Sequence, residues 1–205
     1  ARLYVSSYSV KTEASVSSQR SKSQTCTAYG VGGDFFRFHN YELISGSYLV
    51  EDSIMDDHVV LDEEAAWKIF GAIEVDGMTL TYDGKEYVVQ GVVKPMDEFK
   101  SKAGGAESGT IFFPFSRIGG KADCYEIIFP NLVSGFAVKQ ITEAFKSCGY
   151  DEDDIRIVDN SERYGFVNSV KRLVKWTNKG MSFKSLTYPY WENSAIAVEN
   201  IVDLL

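Results

Sequence analysis

MTLTYDGKEYVVQGVV, residues 78–93, carries the clearest structural signal in the chain. Asp83-Gly84 supplies the two residues that tolerate positive φ in a type I′ turn, the tightest connection between antiparallel strands. The flanks, 78–82 and 85–93, are rich in Val, Thr and Tyr, residues that suit a pleated surface. The stretch therefore predicts a β-hairpin and makes its neighbourhood β-rich.

Working outward towards the N-terminus, residues 58–61 form a short apolar strand. Asp62 then stands where a helix N-cap belongs, with Glu63 and Glu64 at the positive end of the helix dipole and Gly71 past the last turn. Ala66, Ile69 and Phe70 share one face of that helix at i, i+3, i+4 spacing. Before it come Phe35, Phe36 and Phe38, a turn at Gly46-Ser47, and an acidic loop with Glu51, Asp52, Asp56 and Asp57. Residues 25–31 read as a strand closed by Gly32-Gly33. Residues 1–25, rich in Ser, Thr, Lys and Gln, read as a helix or an extended arm with a flexible stretch over 15–23.

On the C-terminal side, 99–110 carries Ser101, Gly104, Gly105, Ser108 and Gly109 and reads as a linker. Beyond it the pattern alternates between strands and helices. Residues 111–115 and 125–129 are expected strands. Ser134 is the expected cap of a helix through Cys148, with Phe136, Ala137, Ile141, Ala144 and Phe145 as its apolar stripe and Gly149 as its stop. Residues 155–158 read as a strand and 160–176 as an amphipathic helix bearing Val167, Val170, Leu173 and Val174. A short strand leads to Pro189, and a last helix starts near Glu192. If the strand at 25–31 joins the C-terminal sheet, the β-rich piece is an insertion.

The bulk properties are those of a folded protein: 44% apolar and 24% charged residues in a chain of 205. The net charge of −8 repels phosphate backbones, and the densest basic group, Lys171-Arg172 with Lys175, has the spacing of a solvated helix side. Nucleic acid is thereby disfavoured as a partner. Cys26, Cys124 and Cys148 are too few and too scattered for a disulfide framework or a metal site. One bridge among them is open, and the pair is not fixed by sequence. There is no signal-peptide pattern and no run of about 18 apolar residues. The chain starts at Ala1 and ends on Ile201-Val202-Asp203-Leu204-Leu205 inside an apolar helical pattern, which leads us to expect that the natural chain continues.

Candidate chemistry is sparse. Gly30-Val31-Gly32-Gly33 lacks the Gly-Lys-Ser/Thr and the following helix that phosphate binding needs, so a turn is the better reading. His39 and His58 have no Gly-x-Ser-x-Gly nucleophile elbow to serve and read as surface or strand-edge histidines. Asp151-Glu152-Asp153-Asp154 lacks the alternation, central Gly and distal Glu of a calcium loop, so it reads as a solvated acidic loop, as does 51–57. Phe112, Phe113 and Phe115 read as a buried strand. Tyr188-Pro189-Tyr190-Trp191 is different: large amphipathic rings gather at membrane–water interfaces, and these stand directly before an expected helix. An ordinary loop packed on the core is the competing reading. No catalytic residue, cofactor site or metal site is assigned.

The order of several short motifs resembles the extracytoplasmic domain of MacB/FtsX-type ABC transporter permeases. The matching stretch runs from Tyr29-Gly30-Val31 through Phe35-Phe36 to Leu43-Ile44-Ser45-Gly46 with Glu51-Asp52. It continues with Val59-Val60-Leu61, then Ala65-Ala66-Trp67-Lys68-Ile69-Phe70-Gly71, then Tyr87-Val88-Val89-Gln90-Gly91-Val92-Val93, and Ile111-Phe112-Phe113-Pro114. Tyr190-Trp191-Glu192-Asn193 is similar to the juxtamembrane stretch of such permeases in Gram-positive bacteria. Ser47 departs from the family's usual Arg, and the first 25 residues match little.

The resemblance implies an α+β fold: an α/β porter-like subdomain, 1–33 with 106–205, interrupted by a β-rich Sabre-like subdomain at 34–105. It implies a non-catalytic domain between transmembrane helices one and two, on the outer face of the cytoplasmic membrane, with Tyr190 and Trp191 membrane-proximal. The implied role is to couple ATP-driven motion to export or to a mechanical task. The implied partners are the permease's own transmembrane helices and an ABC ATPase, with a second permease or an adaptor protein as further candidates. A free-standing extracellular binding or adhesion module is the alternative from another class. A hydrolase built on scattered carboxylates and a histidine is a distant third.

Overall fold

Asp83 and Gly84 both take positive φ, 49° and 72°, and join strands β5 (Thr79–Tyr82) and β6 (Lys85–Pro95) in antiparallel register. The hairpin is thus built as its turn chemistry dictates. The computed structural model that shows it describes residues 4–19, 21–50, 56–95, 109–128, 135–151, 155–160, 189, 191–192 and 194–195.

The remaining strands are β1 (Val5–Ser18), β2 (Gln24–Gly33), β3 (Tyr41–Gly46), β4 (His58–Asp62), β7 (Thr110–Pro114) and β8 (Cys124–Ile128). Hydrogen bonding runs β2-β7-β4-β6-β5-β1, and β1 also pairs with β2, so six strands close into a ring. Two of its seams, β2–β7 and β4–β6, are parallel; the others are antiparallel. β3 hangs on β6 and β8 on β1, outside the ring. Strands from both parts of the expected two-part division share this one sheet. Among the described residues the α+β architecture is completed by the helices α1 (Phe35–Phe38), α2 (Glu63–Phe70), α3 (Phe115–Ile118) and α4 (Phe136–Ser147).

Side-chain alternation sorts the apolar residues into two cores. Ala28, Val59, Leu61, Val92, Ile111 and Phe113 face the inside of the ring, where Ala65, Ala66, Ile69 and Phe70 of α2 pack against them. Their neighbours Tyr29, Val60, Val93 and Phe112 face the other way and pack with Phe35 of α1 and Tyr41 of β3. Continuous apolar runs such as Val59-Val60-Leu61 are therefore buried on both faces.

The expected cap of α2 is present: Asp62 accepts the Ala65 N–H at 2.6 Å, and Gly71 ends the helix in the left-handed region. Some sequence expectations need correction. The N-terminal segment is extended, not helical, and 15–18 belongs to a 14-residue strand rather than to a flexible stretch; its small side chains at Ala14 and Val16 fit inside the ring. Gly30-Val31-Gly32-Gly33 is strand rather than turn up to Gly33. A Cβ on Gly32 would stand 2.3 Å from the Tyr8 ring, so the glycine lets that ring lie flat on the strand. The strand expected at 111–115 stops at Pro114, and Phe115 opens α3. α4 starts behind Gly135, and residues 155–158 have no strand partner among the described residues. The expected linker apart from Gly109 and Thr110, the capping Ser134, and the helix over 160–176 apart from Asn160 lie outside the described residues.

Candidate functional site

Asp34 and Phe35 turn the chain directly off the end of β2, and this places α1 against the start of β1: the Asp34 N–H donates to the Ser6 carbonyl at 2.9 Å. His39 follows as the C-cap of α1, its N–H donating to the Phe35 carbonyl at 3.2 Å. Its imidazole is buried, 6% exposed, beside the Phe35 ring at 4.4 Å between centroids. Nε2 of His39 lies 2.9 Å from Oε2 of Glu126 on β8, an ion pair whenever the ring is protonated. The expectation of a surface or strand-edge residue is thus corrected for His39. His58 does stand at the first position of β4, half-buried, with Nδ1 2.9 Å from Asp57.

Over His39 lies Trp191, at 4.2 Å between ring centroids, with Phe35 at 5.9 Å and Tyr29 at 6.0 Å. Residues of β2, α1, β8 and the segment near 191 thereby meet at one end of the sheet. Trp191 is half-buried here, packed on the outer core; its neighbour Tyr190 lies outside the described residues. Sequence reading singled out Trp191 for its type but did not connect it with His39 or Glu126.

The polar residues here do not make an active centre. Ser7 stands opposite Glu126 in the β1–β8 register, so a serine, a carboxylate and a histidine share this end of the sheet. Ser7 is 0% exposed, however, and its hydroxyl cannot meet a substrate. Cys124, opposite Ser9, has its thiol pushed up to about 12 by burial, with Glu126, Glu192 and Asp123 adding to the effect. Burial likewise raises Cys26. Neither thiol is poised as a nucleophile.

In the acidic loop before β4, Asp56 has a structural partner. Asp56 binds the Arg117 guanidinium, whose Nε also donates to the Asp56 carbonyl at 3.0 Å, joining the loop before β4 to α3. Asp151 is exposed, and 51–55 and 152–154 lie outside the described residues. Among the described residues no three His, Cys, Asp or Glu side chains converge as metal ligands, and no helix is long and apolar enough to cross a membrane. What this arrangement can do is hold segments of chain together.

Comparison with known proteins gives a consistent result. Residues 2–147 match the MacB-like periplasmic core domain. The macrolide export ATP-binding/permease protein MacB of Shewanella sp. is 27% identical over 120 residues, 58% of this chain and 17% of the relative's length. The match therefore spans about a sixth of that relative. In fold it is similar to the periplasmic region of MacB from Actinobacillus actinomycetemcomitans, with a TM-score of 0.63 and 24% identity over 87% of this chain and 79% of that one. It is also similar to the extracellular domain of the noncanonic ABC-type transporter YknZ from Gram-positive bacteria, with a TM-score of 0.59 and 10% identity over 76% and 81% of the two chains.

Proposed function

Since residues 2–147 match it, the chain belongs to the MacB-like periplasmic core domain family, and we propose from that premise that it couples the motion of membrane helices to work outside the membrane. The chain is the extracytoplasmic domain of a MacB-like ABC transporter permease. In the proposed cycle a cytoplasmic ABC ATPase, fused or separate, drives the membrane helices. This domain carries their displacement to an exported substrate or to a mechanical task. It contributes shape and movement rather than chemistry.

The observation supporting this reading is the match through residues 2–147, which takes in all eight strands of the described sheet. Its partners are the permease's own helices and the ATPase, with a second permease copy or an adaptor as further candidates. The division into 1–33 with 106–205 and 34–105 belongs to the same proposal, the two parts being joined through shared strands. Tyr190 and Trp191 are assigned to the membrane-facing end.

The test uses the full-length permease with its ATPase in cells. Cys148 is exposed and should react with a membrane-impermeant maleimide added from outside. Removing residues 5–147 should leave ATP hydrolysis running while export or the mechanical output falls to background. A full-length gene with no apolar segment on either side, or output unaffected by the deletion, would sink the proposal. The first of these outcomes would favour the free-standing binding module.

A further inference from the structure

We infer that Trp191 is itself a fastening, a strap that holds its point of the chain to the same end of the sheet at which β1 begins. Its mechanical role rests on the transporter reading above; its existence as a contact does not.

Four links make the strap. Trp191 lies on His39 at 4.2 Å and meets Phe35 and Tyr29 at 5.9 and 6.0 Å, so its seat is built from α1 and β2. His39 is flanked on two sides: Phe35 packs on its ring at 4.4 Å, and Glu126 stands 2.9 Å from Nε2. Glu126 belongs to β8, which pairs with the start of β1 through Val5↔Ile128 and Ser7↔Glu126. Asp34, at the head of α1, donates its N–H to Ser6 of β1 at 2.9 Å. The first paired residues of β1 and Trp191, from opposite ends of the sequence, are thus held by one block of α1 and β8.

The chemistry suits a fastening that opens and closes. An indole over an imidazole and a phenyl ring gains stacking and area burial, and Trp191, itself half-buried, covers the Tyr29–Phe35 edge of the outer core from outside. Tryptophan is equally at home where water meets lipid. Of the charged groups, Glu126 stands 2.9 Å from the His39 ring, and α1 carries the Asp34–Arg37 pair, 3.2 Å apart, at its head. On the transporter reading both ends of the strap lead towards membrane helices. With the strap closed, those two helices must shift together.

Acrylamide quenching of the 205-residue chain carrying Trp67→Phe and Trp176→Phe isolates Trp191. The native chain should be quenched about threefold less than the same chain in concentrated urea, as a seated indole requires. His39→Ala and Glu126→Ala should each raise quenching towards the denatured value without changing the far-UV circular dichroism. If Trp191 is as accessible in the native chain as in urea, or if His39→Ala leaves quenching unchanged, the strap does not exist. Nuclear Overhauser contacts between the Trp191 and His39 rings in the unsubstituted chain are expected and do not depend on the substituted background. Their absence would overturn the inference as well. These readouts need neither membrane nor ATPase, so losing the strap leaves the transporter reading standing, and the reverse holds too.

Discussion

One oxygen of the Asp62 carboxylate accepts the N–H of Ala65 at 2.6 Å, and the other accepts that of Thr110 at 2.7 Å. The first bond caps α2 and the second anchors the start of β7, so a single side chain joins two elements far apart in sequence. Asp62→Ala is expected to lower stability by about 2–4 kcal/mol, read from urea unfolding, because both buried donors lose their acceptor. Burial, assisted by Glu64, pushes the Asp62 carboxyl up to about 6 against the two N–H donors. A folded-state value above the ordinary one favours the protonated form. The contribution is thus fully present below about 3.8 and is lost as pH rises through about 6. The stability gap between wild type and Asp62→Ala should accordingly be wider at pH 4 than at pH 7, by on the order of 2–3 kcal/mol. The thiols give a second check at this scale. In the native chain maleimide at neutral pH should modify exposed Cys148 and spare Cys26 and Cys124, whereas all three should react in urea.

Among the elements, the β1–β2 pair depends on close backbone approach at its end. Gly33 has φ 66°, and a Cβ there would stand 2.2 Å from the Ser6 carbonyl oxygen. Gly33→Ala should cost about 2–4 kcal/mol from strain and overlap together, and should displace α1, seen as altered near-UV dichroism of its aromatic neighbours. Elements whose instructions are local could be read from sequence. Asp83-Gly84 defines its hairpin, and the span from Asp62 to Gly71 defines α2, because cap and turn chemistry act within a few residues. β1 is harder to read: Tyr8, Val10, Ala14 and Val16 alternate with polar residues, yet Ser dominates the stretch and the buried positions switch from Ser7 and Ser9 to Ala14 and Val16. It becomes a strand through partners supplied by β2, β5 and β8, all distant in sequence. The helical turn at Phe35–Phe38 is as hidden: four residues cannot display a helical period, and its docking on Ser6 is long-range.

For the molecule as a whole, all six ring strands have partners on both sides, with β7, β4 and β6 at the centre of the hydrogen-bonded order, whereas β3 and β8 hang outside the ring. Amide hydrogen exchange should therefore be slowest in β4, β6 and β7 and markedly faster in β3 and β8. Uniform protection across all eight strands would contradict this topology. The family was legible before the fold, because short motifs such as the one ending in Gly71 keep their order whatever their tertiary partners. The seat of Trp191 was not, because it is assembled by pairings that bring His39, Glu126 and Trp191 together from three distant segments. The long β1–β2 seam has a mechanical consequence. Its pairs run from Ser7↔Gly33 to Val16↔Gln24, and the closed ring supports it on the far side. A tug on the start of β1 runs along the strand and loads those rungs together in shear. Peeling, which breaks rungs one at a time, is reserved for pulls across the strand. The seam is thus stiff along the line of the chain and weak at right angles to it, as a tie-rod is.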